Sequence, residues 1–195
     1  MGIDVWEVID AARTKPFGFM PFYPGPGLGG HCLPSDPIYL AWKVRVHGFE
    51  ARFIELASQI NGAMPEYVVT RIASALNDRR QPLKGSRVLL LGLAYKKDVS
   101  DTRDSPAFDV ARILKERGAL ISYHDPHVAA AILHGEPYRS VPLTAAAVRQ
   151  ARCVVVLTNH SAVDYEMVLR HARVILDTRN QYGGLGKASR KVVKL

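Results

Sequence analysis

Four short runs in the second half of the chain, Arg87 to Tyr95, Ala119 to Tyr123, Cys153 to Leu157 and Arg173 to Asp177, are almost continuously apolar. A strand that is apolar at successive positions has to be covered on both faces, which parallel sheets achieve with helices on either side. The intervening segments carry helical signals. Ser105 to Arg117 is amphipathic and stopped by Gly118, Asp125-Pro126 closes the second run, and a helix near Ser161 to His171 leads into the fourth. Residues Val128 to Gln150 are expected to form one or two shorter helices. The fold class that follows is α/β, a Rossmann-like doubly wound parallel sheet.

The first half reads differently. Ile3 to Ala12 has apolar residues at helical spacing, yet no capping residue marks a clear start. Pro16 to Gly30 is rich in proline and glycine and fits no regular element. Asp36 as N-cap, Pro37 at the first helical position and Gly48 as C-cap predict a helix over Pro37 to His47. From Ile54 to Asn77, the stripe Leu56, Ile60, Met64, Tyr67, Val68, Ile72 and Leu76 predicts a long amphipathic helix, kinked at Pro65. The chain therefore divides into a helical region carrying the proline-glycine loop, residues 1–82, and a Rossmann-like domain, residues 83–195.

With 195 residues, 48% of them hydrophobic, the chain can bury one sizeable core and a smaller appended unit. Its longest apolar stretch, Val88 to Ala94, is far short of the roughly 20 residues a membrane helix needs. Acidic residues at Asp4, Glu7 and Asp10 replace the basic start of a secretory signal, so a cytoplasmic location is expected and no membrane partner. The net charge of +8 invites an anionic partner. Its lysines and arginines are spread along the chain without an aromatic-interleaved basic stripe, which argues against nucleic acid and for a phosphorylated small molecule. Two cysteines make no disulfide framework. Cys153 opens an apolar strand and is expected to be a small buried hydrophobe.

In the proline-glycine loop, Gly27, Gly29 and Gly30 let backbone amides approach a ligand and form an anion-binding nest suited to a diphosphate. A structural turn fits the same composition. The loop is neither a Walker A sequence nor a dinucleotide fingerprint. Cys32 sits on this loop near amide donors and a helix start, which favour a nucleophilic thiolate; packing beneath the loop is the competing reading. His31 is read as loop structure or a substrate contact. Asp36 is read as an N-cap that also lies close enough to orient a water.

The run Gly25-Pro26-Gly27-Leu28-Gly29-Gly30-His31-Cys32-Leu33-Pro34-Ser35-Asp36-Pro37 closely resembles the active-site segment of the UDP-glucose/GDP-mannose dehydrogenase family. Gly92-Leu93-Ala94-Tyr95-Lys96-Lys97-Asp98-Val99-Ser100-Asp101-Thr102-Arg103-Asp104-Ser105-Pro106 resembles the opening of that family's nucleotide-sugar-binding domain. With Leu176-Asp177-Thr178-Arg179, the likeness spans nearly the whole chain. It implies an NAD-dependent enzyme that oxidises the C6 alcohol of a nucleotide sugar to a carboxylate through a cysteine thioester. By that resemblance Cys32 is the nucleophile and Asp36 helps activate water. Tyr95, Lys96 and Arg179 contact the UDP-sugar, as the glycines do, and Arg103 reaches NAD. No metal is expected, and a homodimer is. His31 and Ser35 look more like the UDP-N-acetylhexosamine dehydrogenases than the UDP-glucose enzymes, which often have lysine at the second position; UDP-N-acetylglucosamine is the favoured substrate, with UDP-N-acetylmannosamine and UDP-glucose as the alternatives. The 195 residues contain no Gly-x-Gly-x-x-Gly domain and none of the segment that supplies the family's catalytic lysine and asparagine. They are expected not to turn over alone. A non-catalytic nucleotide-sugar-binding or dimerisation module is the alternative.

Overall fold

The computed structural model of the protein describes residues 2–133, 135–184 and 189–195. Five strands, β1 (Arg87–Leu91), β2 (Leu120–His124), β5 (Cys153–Val156), β6 (Ile175–Asp177) and β7 (Val192–Lys194), form one parallel sheet in the order β2-β1-β5-β6-β7. Their side chains alternate between two cores, as the pleat requires. Val88, Leu90, Val155 and Leu176 pack with α3 (Arg52–Asn77) and α4 (Pro106–Glu116). Leu89, Leu91, Val154, Val156 and Ile175 pack on the other face with α5 (Ala145–Gln150) and α6 (Tyr165–His171). This is the expected doubly wound α/β sheet. Because the chain runs from β1 out to β2 and then back across to β5, the direction of winding reverses between β1 and β5. Open sheets of this kind bind ligands at the carboxyl ends of the strands beside that switch.

α4 is built as its sequence indicates. Ser105 caps it through a bond from the Ala107 amide to Oγ, and Pro106 occupies the first turn, where a missing N–H costs nothing. α3 runs unbroken through Pro65. The ring there removes the donor to the Asn61 carbonyl, and that carbonyl lies 3.4 Å from where a Cβ on Gly27 would stand. One face of the carboxyl half of α3, with Val68, Ile72 and Leu76, is fully buried in the first core. The helix thus crosses from the first region into the sheet domain, and residues on both sides of position 82 share one core.

Four expectations are corrected. Helix α1 (Val5–Ala12) does have a cap, since Asp4 accepts the Trp6 amide at 3.0 Å. α2 begins at Cys32 and ends at Arg45, so Asp36 lies inside the helix and is not its N-cap; His31 holds that position without a side-chain cap bond. Pro34 and Pro37 both lie within α2. Pro34 falls in the first turn, where amides have no helical acceptor, so the helix starts earlier than the prolines suggest. Between Val128 and Gln150 the expected helix is α5, but it is preceded by an antiparallel hairpin that was not expected, of β3 (Ala130–Leu133) and β4 (Glu136–Arg139), joined through Gly135 at φ +78. The edge strand β7 and the short α7 (Gln181–Gly184) complete the chain. No described helix is long and apolar enough to cross a membrane.

Candidate functional site

The β1–α4 loop starts with a turn only glycine can make. Gly92 has φ +87, and a Cβ there would come within 2.5 Å of the Thr158 side chain that follows β5. Thr158 Oγ donates to the Ala94 carbonyl at 2.6 Å. The Asp125 carboxylate, at the end of β2, accepts the Leu93 and Ala94 amides at 2.7 and 3.1 Å on Oδ2, and the His127 and Val128 amides on Oδ1. Burial alone would raise the pKa of Asp125. The bonds from the His160 ring and these backbone amides outweigh it and hold the carboxyl well below the usual carboxylate range. The loop carrying Tyr95 and Lys96 is therefore anchored to the ends of three strands, with Lys96 exposed.

The proline-glycine loop packs onto this one. A Cβ on Gly29 would meet Tyr95 Cβ at 2.7 Å and the Asp104 carbonyl at 2.8 Å, and one on Gly30 would meet the Tyr95 ring at 2.9 Å. The Gly30 amide donates to the Arg103 carbonyl at 2.9 Å. The glycines thus achieve their close approach against the chain's own Tyr95 segment, and the Gly30 amide is already used. Gly25 packs in the same way on the Arg179 guanidinium. Arg179, after β6, donates from Nε to the Leu157 carbonyl at 2.8 Å. Burial lowers its pKa from the ordinary value, although a guanidinium stays charged at any physiological pH. A cavity of about 290 Å³ opens beside it, lined by Trp6, Tyr23, Pro24, Asn159, Arg179 and Asn180, with the Trp6 and Tyr23 rings stacked at 5.5 Å. An aromatic pair beside a buried cation suits a planar, anionic ligand.

Docking the glycine loop here fixes the start of α2. Cys32 is the first residue of that helix, exposed, at the positive end of the helix dipole. Asp36, also exposed, is four residues on, and residues at that spacing are neighbours on one helix face, about 5–6 Å apart at Cβ. Arg103 grips Asp101 through three side-chain bonds of 2.7–3.1 Å. That pairing is the main cause of its raised pKa, and the Gly30 amide on the Arg103 carbonyl, with Gly30 against the Tyr95 ring, brings Arg103 and Tyr95 to the loop that carries Cys32. Cys153 is buried in β5, and burial pushes its thiol up to about 12, as inert as expected. The larger apolar cleft, about 440 Å³ between α2 and α3, lacks the cations of a phosphate site.

Asp98, His127 and His160 bring ligand-type atoms within 4.8 Å of one another. They do not make a preformed metal centre, because both nitrogens of the buried His160 are engaged: Nε2 with Asp125 and Nδ1 with the Asp98 amide.

Two models of one family match this chain. The UDP binding domain of the UDP-glucose/GDP-mannose dehydrogenase family matches residues 89–184, and the central domain of the same family matches residues 1–63. The chain belongs to the UDP-glucose/GDP-mannose dehydrogenase family. A UDP-N-acetyl-D-mannosamine dehydrogenase from Methanococcus maripaludis is 31% identical over 190 residues, 92% of this chain and 41% of that protein. A UDP-N-acetyl-D-glucosamine 6-dehydrogenase from Pseudomonas aeruginosa is 40% identical over 130 residues, 67% of this chain and 30% of its own length. The crystal structure of an NDP-N-acetyl-D-galactosaminuronic acid dehydrogenase from Methanosarcina mazei superposes with a TM-score of 0.80 at 26% identity, covering all of this chain and 44% of that one. The chain spans about two fifths of the length of its relative from Methanococcus.

Within this family member, the sequence-predicted residues Cys32, Gly27, Gly29, Gly30, Tyr95, Arg103 and Arg179 meet at one end of the sheet, with Asp36 beside Cys32. Asp125, Thr158 and His160 were not singled out from sequence. Their one available signal is position, since Asp125 directly follows β2 and Thr158 and His160 lie in the segment after β5, at the carboxyl edge of the sheet.

Proposed function

We propose that the chain is the sugar-nucleotide-binding, cysteine-bearing part of an NAD-dependent dehydrogenase that oxidises the C6 alcohol of a UDP-N-acetylhexosamine to the uronic acid. The observation that carries this reading is the seating of the Cys32 loop on the Tyr95 loop, at the switch point where a doubly wound sheet binds its ligand. The names of the relatives support the substrate class. Residues 1–82 supply the nucleophile and residues 83–195 the nucleotide cradle.

In this reading Tyr95, Lys96 and Arg179 bind the UDP moiety, and the glycine loop sets the sugar's C6 against Cys32. Arg103, exposed on the Cys32 side, is suited to a phosphate of NAD. When bound, NAD accepts a hydride in each of two oxidations, alcohol to aldehyde and thiohemiacetal to thioester. Cys32 Sγ forms the bond to the C6 carbonyl carbon and its proton passes to the oxygen, giving the thiohemiacetal. After the second oxidation, water adds to the thioester and the C–S bond breaks, releasing the acid and the thiol. Asp36, one turn along from Cys32, takes the proton of that water.

Titration calorimetry tests the reading. The chain is expected to bind UDP-N-acetylglucosamine with a dissociation constant between micromolar and millimolar, more tightly than UDP-glucose, and to reduce no NAD by itself. Failure to bind any UDP-sugar, or tight NAD binding without one, would overturn it.

A further inference from the structure

We infer that His160 is a positioning residue for nucleotide-sugar binding, acting on the Tyr95-Lys96-Lys97 segment through both of its ring nitrogens; this rests on the reading that Tyr95 and Lys96 contact the UDP. Those three residues span two fixed points. On one side, Leu93 and Ala94 are held by Asp125 Oδ2 and by Thr158. On the other, Asp98 adopts φ +58, a left-handed conformation uncommon for a residue with a side chain, though easier for aspartate than for most, and here it is held by its neighbours. Two groups impose it. Ser161 donates its amide to Asp98 Oδ1 and its hydroxyl to Oδ2, each at 2.7 Å, and the Asp98 amide donates to His160 Nδ1 at 2.9 Å.

The His160 ring hydrogen-bonds to both clamps; His127 links them more loosely, its amide donating to Asp125 Oδ1 at 2.8 Å and its Nε2 lying 3.9 Å from Asp98 Oδ1. Since Nδ1 accepts the Asp98 amide, the proton of the neutral ring is on Nε2, which donates to Asp125 Oδ2 at 3.1 Å, the same oxygen that holds Leu93 and Ala94. The ring is fully buried, so water cannot take over either bond. Losing Nδ1 as acceptor strands a backbone amide and frees the Asp98 end. Losing Nε2 removes one of the bonds that orient the Asp125 carboxylate. The two ends between which Tyr95, Lys96 and Lys97 are presented are thereby joined through one imidazole that need not touch the ligand.

Two variants separate the nitrogens. His160→Asn retains an acceptor near Nδ1 and loses the donor near Nε2, while His160→Gln retains a donor near Nε2 and loses the acceptor near Nδ1. In the full chain, UDP affinity by calorimetry is expected to fall about tenfold or more in His160→Gln, the scale of one stranded hydrogen bond, and by clearly less in His160→Asn. Amide exchange should show Asp98 deprotected in the Gln variant and protected in the Asn variant. Equal losses of affinity in both variants that simply follow their melting temperatures would reduce His160 to a structural residue and overturn the proposal. So would unchanged UDP affinity in both. If the unmutated chain binds no UDP, the functional reading fails and this inference with it, a result distinguishable from the other two.

Discussion

Cys32 and Asp36 stand on consecutive turns of one helix, which fixes their mutual position more tightly than the loop expected from the prolines. The cysteine opens α2 and the aspartate follows on the same face, so the nucleophile and the residue proposed to activate water move as one rigid unit. In the whole enzyme, Cys32→Ser is expected to keep UDP-sugar affinity and lose acid formation by several orders of magnitude, because a hydroxyl lacks the nucleophilicity of a partly ionised thiol. A cysteine with only a packing role would instead cost about 1 kcal/mol of stability and leave turnover nearly intact. Because Asp36 caps no helix, Asp36→Asn probes its chemistry with little cost to the fold. Intact-protein mass spectrometry after mixing that variant with substrate and NAD should reveal a covalent adduct on Cys32; full activity with no adduct would remove Asp36 from the mechanism.

At the scale of elements, the sheet was the most legible part of the fold. Strands β1, β5 and β6 are buried on both faces, and such strands advertise themselves as apolar runs; the edge strand β2 is only partly covered. The β3–β4 hairpin was hidden by its alanines, Ala129 to Ala131, which read as helix, and it pairs only with itself at the domain's margin. β7 is three residues long and only half-buried, too short for a period to show. Cys32 was singled out by its loop setting as well as by resemblance, and Tyr95, Arg103 and Arg179 were named through motif resemblance alone; nothing in local spacing marked them as neighbours. Asp125 and His160 were missed because their partners are 31 to 62 residues away in sequence, and a hydrogen bond across strand ends leaves no local pattern. Asp125 gives a test of how far those strand ends depend on it. Its folded pKa lies below the unfolded value of about 3.9, so its carboxylate contributes stability above that pH and the contribution is lost as pH falls toward the folded value. Asp125→Asn should cost about 2–4 kcal/mol near neutral pH, since one amide cannot accept what two carboxylate oxygens accept. In urea titrations the gap between the two proteins should hold to about pH 4 and close only in more acid solution. A gap that closed between neutral pH and pH 5 would assign the linkage to another group.

At the scale of the whole molecule, the apolar surface is unevenly distributed. One face of the carboxyl half of α3 is buried by the sheet domain, whereas its amino half exposes Phe53 at 89% and, less fully, Leu56 and Ile60. α2 exposes Tyr39 at 70% and Trp42 at 65%. Leu33, Ile38 and Phe53 line the apolar cleft between the two helices. A contiguous apolar face of this kind marks an interaction surface, and its helical composition suits packing against a second copy across a twofold axis, each helix pair covering the other. Dimerisation through the 1–82 region is accordingly the expected solution state. Sedimentation equilibrium should give a dimer at micromolar concentrations. Phe53→Glu places a charge in the middle of that face, and because the side chain is almost fully exposed in one copy, the substitution should not disturb the monomer fold. The variant is expected to sediment as a monomer with unchanged helix content and little change in UDP affinity, because Phe53 lines the apolar cleft between α2 and α3 and not the cavity beside Arg179. A wild-type chain that stays monomeric up to millimolar concentration, or a Phe53→Glu chain that still dimerises, would show that this face does not pair with itself.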